Sequence, residues 1–184
     1  MRLIVAITGA SGVVYGKRLL EVLRGKKVET YLIISKAAEN VIEHELEMTK
    51  NELEKLASHV YDVNDLTAPI VSGSFKTDGM IVIPCSMKTL AGIAHGYSEN
   101  LILRAADVML KEKRKLVLVP RETPLSVVHL RNMLDLASQG VFVLPAMPAY
   151  YHKPQEIGDL IDFVVGKALN LLEIEHELFK RWTG

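Results

Sequence analysis

Short apolar runs alternate along the chain with longer stretches in which apolar residues return every three or four positions. The first run, Leu3 to Ile7, is rich in β-branched residues and ends at a Gly/Ser cluster, as a buried parallel strand entering a loop does. From Val13 to Leu23 the positions Val14, Leu19, Leu20 and Leu23 are spaced as one helix face, and Gly25 supplies a stop. The pattern then repeats. Val28 to Ile34 predicts a second strand, Ser35 is placed to cap a helix, and Lys36 to Met48 predicts that helix, carrying Glu39, Glu43 and Glu45. Between Asn51 and Gly73 the pattern is weaker: a short helix through Ala57, a strand near Val60, and an irregular loop with Pro69 and Gly73.

Gly79 to Ile83 predicts a buried strand broken by Pro84. Ser86 can cap a short helix through Ile93, and Ser98 can start another through Leu110. Leu116 to Val119 is the next strand, stopped by Pro120; Leu125 to Ser138 is helical, with Gly140 as its stop. Val141 to Leu144 reads as the last core strand before a Pro-rich loop, Gln155 to Leu172 as the closing helix, and the tail Ile174 to Trp182 as further helix. Strands alternating with amphipathic helices predict a three-layer α/β fold, Rossmann-like or flavodoxin-like, with a parallel sheet flanked by helices. Its ligands would bind beyond the carboxyl ends of the strands. No repeat, low-complexity tract or linker divides the chain, so residues 1–184 are expected to form a single domain.

Composition narrows the function. Hydrophobic residues make up 49% of the chain, and 22 basic residues balance 22 acidic ones, which excludes a disordered or nucleic-acid-coating protein and favours a small ligand. The single cysteine, Cys85, has no disulfide partner and makes no structural zinc site, which fits a reducing cytoplasm. Neither a cleavage pattern nor a run of about 20 apolar residues is present, so no targeting segment or membrane span is expected. The high apolar content predicts subunit interfaces.

Three loops follow strands and place small or hydroxyl residues before a helix: Gly9 to Gly12, Ser35, and Ser86 to Thr89. That arrangement offers backbone N–H groups and a positive dipole to an anion, and it is also ordinary helix capping. Gly9, Gly12 and Gly16 do not reproduce G-x-G-x-x-G, and Ser35 stands where a ribose-binding acid would follow the second strand. The loops therefore argue against NAD and for a mononucleotide phosphate or another small anion.

Arg121-Glu122 should emerge at the same sheet edge as the glycine loop, either as a buried ion pair or as binding residues. Lys111, Lys113, Arg114 and Lys115 read as a solvated helix end, and Glu45 as a surface carboxylate. Tyr150-Tyr151-His152 is a site wall or rim packing. Cys85 has no evident His or Asp partner and reads as a small buried residue. The six histidines lack metal-ligand spacing; Glu173 and His176 are the nearest to a helical pair, and no metal is expected.

Taken in order, Thr8-Gly9-Ala10-Ser11-Gly12, Ile34-Ser35-Lys36-Ala37-Ala38, Pro84-Cys85-Ser86-Met87-Lys88-Thr89 and Val117-Leu118-Val119-Pro120-Arg121-Glu122 resemble the UbiX-type flavin prenyltransferases. Leu144-Pro145-Ala146 with Tyr151-His152 extends the resemblance over nearly the whole chain. The resemblance implies a Rossmann-like flavoprotein, usually a dodecamer, in which reduced FMN is a co-substrate and dimethylallyl phosphate the prenyl donor. Sites are built between subunits, and the product serves a UbiD-type decarboxylase. By motif, it implies FMN contacts at Gly9, Ala10, Ser11, Ser35, Ser86, Met87, Lys88, Thr89, Arg104 and Arg121. The prenyl phosphate would meet Lys111, Arg121, Glu122, Tyr151 and Lys167. Ser11, Glu45 and Glu122 would be catalytic, the first two handling protons. Lys167 departs from relatives with Arg there and lacks the bidentate fork. The rivals are a non-catalytic flavin-binding subunit and a flavin-dependent cysteine-type decarboxylase. The decarboxylase branch carries Asn after Pro-Ala-Met, where this chain has Pro148 after Pro145-Ala146-Met147.

Overall fold

The computed structural model describes residues 1–182. Six strands form one parallel sheet: β1 (Arg2–Ile7), β2 (Glu29–Ile34), β3 (His59–Tyr61), β4 (Gly79–Cys85), β5 (Lys115–Pro120) and β6 (Phe142–Val143), in the order β3-β2-β1-β4-β5-β6. Seven helices connect them: α1 (Val13–Gly25), α2 (Lys36–Leu46), α3 (Lys50–Glu54), α4 (Met87–Ala94), α5 (Leu101–Lys111), α6 (Val127–Ser138) and α7 (Ile157–Leu171). The chain leaves β1 toward β2 on one side and toward β4 on the other. A crevice therefore opens at the carboxyl ends of β1 and β4, where such sheets bind ligands.

Alternation of side chains along the strands builds two cores. Leu3, Val5 and Ile7 of β1 pack with α1, α2 and α7, whereas Ile4 and Ala6 pack with α4, α5 and α6. Both faces are covered, which is why the strands read as continuous apolar runs rather than alternating ones.

The layers match the expectation from the sequence, and several boundaries move for local reasons. Strand β4 is not broken at Pro84 but continues to Cys85, across a cis Ile83–Pro84 peptide. Its register against β5 shifts between Val82 and Cys85, and Cys85 consequently joins Met80 and Val82 in one core although its parity is that of Ile81 and Ile83. Helix α5 starts after Asn100, not Ser98, because Asn100 accepts the Leu103 N–H at 3.1 Å. Ser126 caps α6 and Glu156 precedes α7, trimming both predicted helices; the last strand is reduced to two residues.

The tail is the larger correction. Residues 174–182 are not helical; they run as irregular chain with a bend at Leu178 and Phe179 and pack on α7 at Gly166, with Ile174 and His176 buried and Glu175 and Glu177 exposed. Gly166 admits them. A Cβ there would lie 2.5 Å from Phe179 and 2.6 Å from His176.

Candidate active site

The loop after β1 is the hub of the crevice. Gly12 closes it in the left-handed region (φ 101°), a conformation that favours glycine, and so offers no side-chain cap to α1. A residue thirty-three positions away supplies that cap: Glu45 of α2 accepts the Gly12 N–H at 2.8 Å and the Val13 N–H at 3.3 Å. Gly9 lets the loop lie against the start of α2, since a Cβ at Gly9 would come within 2.5 Å of the Ala37 Cβ.

The other two loops fasten to the same hub. Ser35 donates its N–H to Ile7 at 3.0 Å, and its hydroxyl accepts the Ala38 N–H at 3.2 Å. Thr8, buried to 1% exposure, donates its hydroxyl to the Pro84 carbonyl at 2.8 Å and accepts the Ser86 N–H at 2.7 Å. The Ser86 hydroxyl accepts the Thr89 N–H at 3.3 Å, which leaves the N–H groups of Met87 and Lys88 without a side-chain acceptor at the start of α4. The exposed Lys88 adds a cation beside them.

From β5, Arg121 reaches back and donates Nε–H to the Ser11 carbonyl at 3.2 Å, while Glu122 accepts the Thr123 N–H at 3.0 Å. Arg121 and Glu122 are therefore not the buried ion pair that was one reading of the sequence. Tyr15 stands beside them; burial pushes its phenol above the usual value, and the Arg121 charge opposes that rise. A cavity of about 500 Å³ opens here, lined by Pro120, Arg121, Glu122, Leu125, Met133, Pro145, Ala146 and Met147. Its apolar walls and few polar groups suit a small organic ligand. A wider cleft of about 750 Å³ lies against the tail, where Lys26, His176 and Phe179 line it, and shares no residue with the loops above.

One chain does not gather every residue implied by the motifs. Gly9, Ala10, Ser11, Ser35, Glu45, Ser86, Met87, Lys88, Thr89, Arg121 and Glu122 lie at the carboxyl edge of the sheet. Arg104 is in the first turns of α5 and is paired with Asp107 at 3.0 Å. Lys111 ends α5 just before β5 begins, so it lies at the opposite edge from Arg121, about a strand length away. Tyr151 sits edge-on to Phe163 of α7 and to Trp182, and Lys167 is exposed one helical turn beyond Phe163. Burial raises the Cys85 thiol well above its usual value, which rules out a ready thiolate. Glu173 and His176 have different partners, Lys115 at 2.7 Å and Asn170 at 3.1 Å, so they form no ligand pair.

A family model described as Flavoprotein matches residues 1–169. Flavin prenyltransferase UbiX of Methanocaldococcus jannaschii is 52% identical over 182 residues, covering 99% of this chain and 98% of that protein. The chain belongs to the UbiX-type flavin prenyltransferase family. Among solved structures of the family, AnUbiX in complex with FMN and dimethylallyl pyrophosphate is 51% identical, with a TM-score of 0.98 over 100% of this chain and 97% of its own. A dodecameric FMN-dependent Ubix-like decarboxylase from Escherichia coli matches equally well, at 51% identity and a TM-score of 0.98 over the full length of both chains.

Two residues that shape the site, Thr8 and Tyr15, do not stand out in the sequence as site residues. Thr8 lies inside the loop motif Thr8 to Gly12, and the signal for Tyr15 is its place one turn after Gly12 in α1.

Proposed function

We propose that this protein transfers a dimethylallyl group from dimethylallyl phosphate to reduced FMN. The product would be the prenylated flavin used by a UbiD-type decarboxylase. The observation that carries the reading is the meeting of three strand-end loops with Arg121 beside an apolar cavity, in a chain half identical to flavin prenyltransferases from end to end. The cradle fits the flavin. The unclaimed N–H groups of Met87 and Lys88 suit its phosphate, and Gly9 to Ser11 would border its ring system.

Reduced flavin, when bound, supplies nucleophilic N5 and C6 positions. The protein's own residues do the rest. Arg121, with Lys111, Tyr151 and Lys167, would hold the donor phosphate and neutralise the charge it gains as the allylic C–O bond breaks. The apolar cavity walls exclude water from the allylic carbon. Glu45 and Ser11 border the loop beside the flavin and are assigned the proton transfers: they would take the proton that N5 loses on alkylation, return one to the dimethylallyl double bond as C6 bonds to it, and take the proton C6 then loses, with released phosphate as a second acceptor. Glu122 is assigned to the donor end of the site.

Lys111 is distant from Arg121 within one chain, and this supports a site completed by a neighbouring subunit. The dodecameric relative fits that arrangement. We assign the reaction to the cytoplasm; among the described residues no helix is long and apolar enough to cross a membrane. Pro148 stands where the resemblance places an Asn in the cysteine-type decarboxylases, which disfavours that rival. The test is anaerobic incubation with reduced FMN and dimethylallyl phosphate, then mass spectrometry of the released flavin. One added prenyl unit is expected. Unmodified flavin, still bound, would return the protein to the carrier or decarboxylase readings.

A further inference from the structure

We propose that Thr8 is a positioning residue that fixes the flavin loop after β1 relative to the flavin loop after β4. The proposal rests on the reading that both loops bind FMN. The paired register of β1 and β4 ends at Ala6 and Val82, two residues short of Thr8, and beyond it a single backbone bond, Thr8 N–H to the Pro84 carbonyl at 3.2 Å, joins the two segments before they diverge into their loops. The Thr8 side chain takes over there. Its hydroxyl donates to the Pro84 carbonyl (2.8 Å) and accepts from the Ser86 N–H (2.7 Å), while its own N–H and carbonyl bond Pro84 (3.2 Å) and Ala10 (2.8 Å).

One buried residue therefore holds both loops. A β-branched side chain is stiff at χ1, so the distance between its two hydroxyl partners is fixed by the backbone of β1. Thr8 is buried to 1% exposure and does not itself face a ligand; it acts through Ser86, whose hydroxyl caps α4 and whose N–H it holds. If the Ser86 N–H loses its acceptor, it is left unsatisfied in a partly buried setting, and the start of α4 shifts to find another. A ligand spanning both loops feels a shift of about half an ångström.

The test compares Thr8→Val, which keeps the shape and removes the hydroxyl, with Thr8→Ser, which keeps the hydroxyl. FMN affinity is measured by flavin fluorescence and apoprotein Tm by calorimetry. Thr8→Val should stay folded, bind FMN about tenfold or more weakly, and show a matching rise in KM for reduced FMN with kcat changed less than about threefold. Thr8→Ser should lie within about threefold of the parent in affinity. Equal FMN affinity in Thr8→Val, with only Tm lowered, would overturn the proposal, as would a Thr8→Ser variant as weak as Thr8→Val. If Thr8→Val does not fold, Thr8→Ala carries the same comparison; if neither folds, the hydroxyl serves the whole fold and the proposal fails. A parent protein that binds no FMN would instead overturn the flavin reading.

Discussion

Glu45 and Gly12 meet across the gap between α2 and α1, the carboxylate accepting the glycine N–H at 2.8 Å. A left-handed glycine cannot cap its own helix with a side chain, so the acid on the neighbouring helix does so. This geometry ties the proton-handling role assigned to Glu45 to a structural one, and substitutions separate the two. Glu45→Gln keeps an oxygen acceptor but loses the charge; prenyl transfer should slow by about tenfold or more, on the order of a lost general base, while FMN stays bound. Glu45→Ala should also cost about 1 kcal/mol of stability through the lost cap, about 2–4 °C in Tm. Anaerobic rate assays alongside calorimetry measure both. A Gln variant with normal rates would remove Glu45 from the chemistry.

Gly9 lies so close to Ala37 in the first turn of α2 that no methyl group fits at position 9. Gly9→Ala puts a Cβ 2.5 Å from that of Ala37 and must push the loop away from α2. The displaced atoms belong to the proposed flavin cradle, so FMN affinity should fall about tenfold or more, while unfolding in urea changes modestly. Equal losses in both would mean that the contact supports the fold alone.

How far these contacts were legible depends on how local they are. The three strand-end loops could be read because a strand end, a small-residue turn and a helix start lie close together in the chain, as Thr8 to Val13 do. The role of Glu45 could not, because its partner is thirty-three positions away and its own helix face is exposed. The place of Lys111 was not legible for the same reason: the motif named the residue, but only the direction of α5 places it at the far edge of the sheet. The tail did carry a signal. Leu172-Glu173-Ile174-Glu175-His176-Glu177 alternates at period two, which is not the spacing of a helix face.

At the amino edge of the sheet a second cluster gives a pH signature. Glu29 accepts from Tyr31 at 2.7 Å and from Arg2 at 3.0 Å and lies 3.1 Å from the His59 ring, and these partners lower its carboxyl from 4.5 to about 2, the Tyr31 hydrogen bond most of all. A carboxyl depressed in the folded state stabilises it above its unfolded pKa, and that contribution is lost as pH falls from about 4.5 toward 2. Glu29→Gln should therefore be less stable than the parent at neutral pH, and the difference should close between pH 4.5 and 2. Because the group is solvent-exposed, the gap should be small. Urea midpoints measured at about pH 7, 5 and 3 decide it; a gap that stays constant with pH would deny Glu29 this role.

The distance between Lys111 and Arg121 yields the most direct test of a shared site. They stand at opposite ends of β5, so a donor phosphate held by both must take Lys111 from one copy and Arg121 from another. Lys111→Ala and Arg121→Ala should each lose most prenyl transfer alone. Unfolded and reassembled together at equal amounts, they should recover about a quarter of parental activity. A site is intact only when its Lys111 comes from the Arg121 variant and its Arg121 from the Lys111 variant, each with even odds in a random oligomer. If both residues act within one chain, no mixed oligomer contains an intact site, and the mixture stays as inactive as its components.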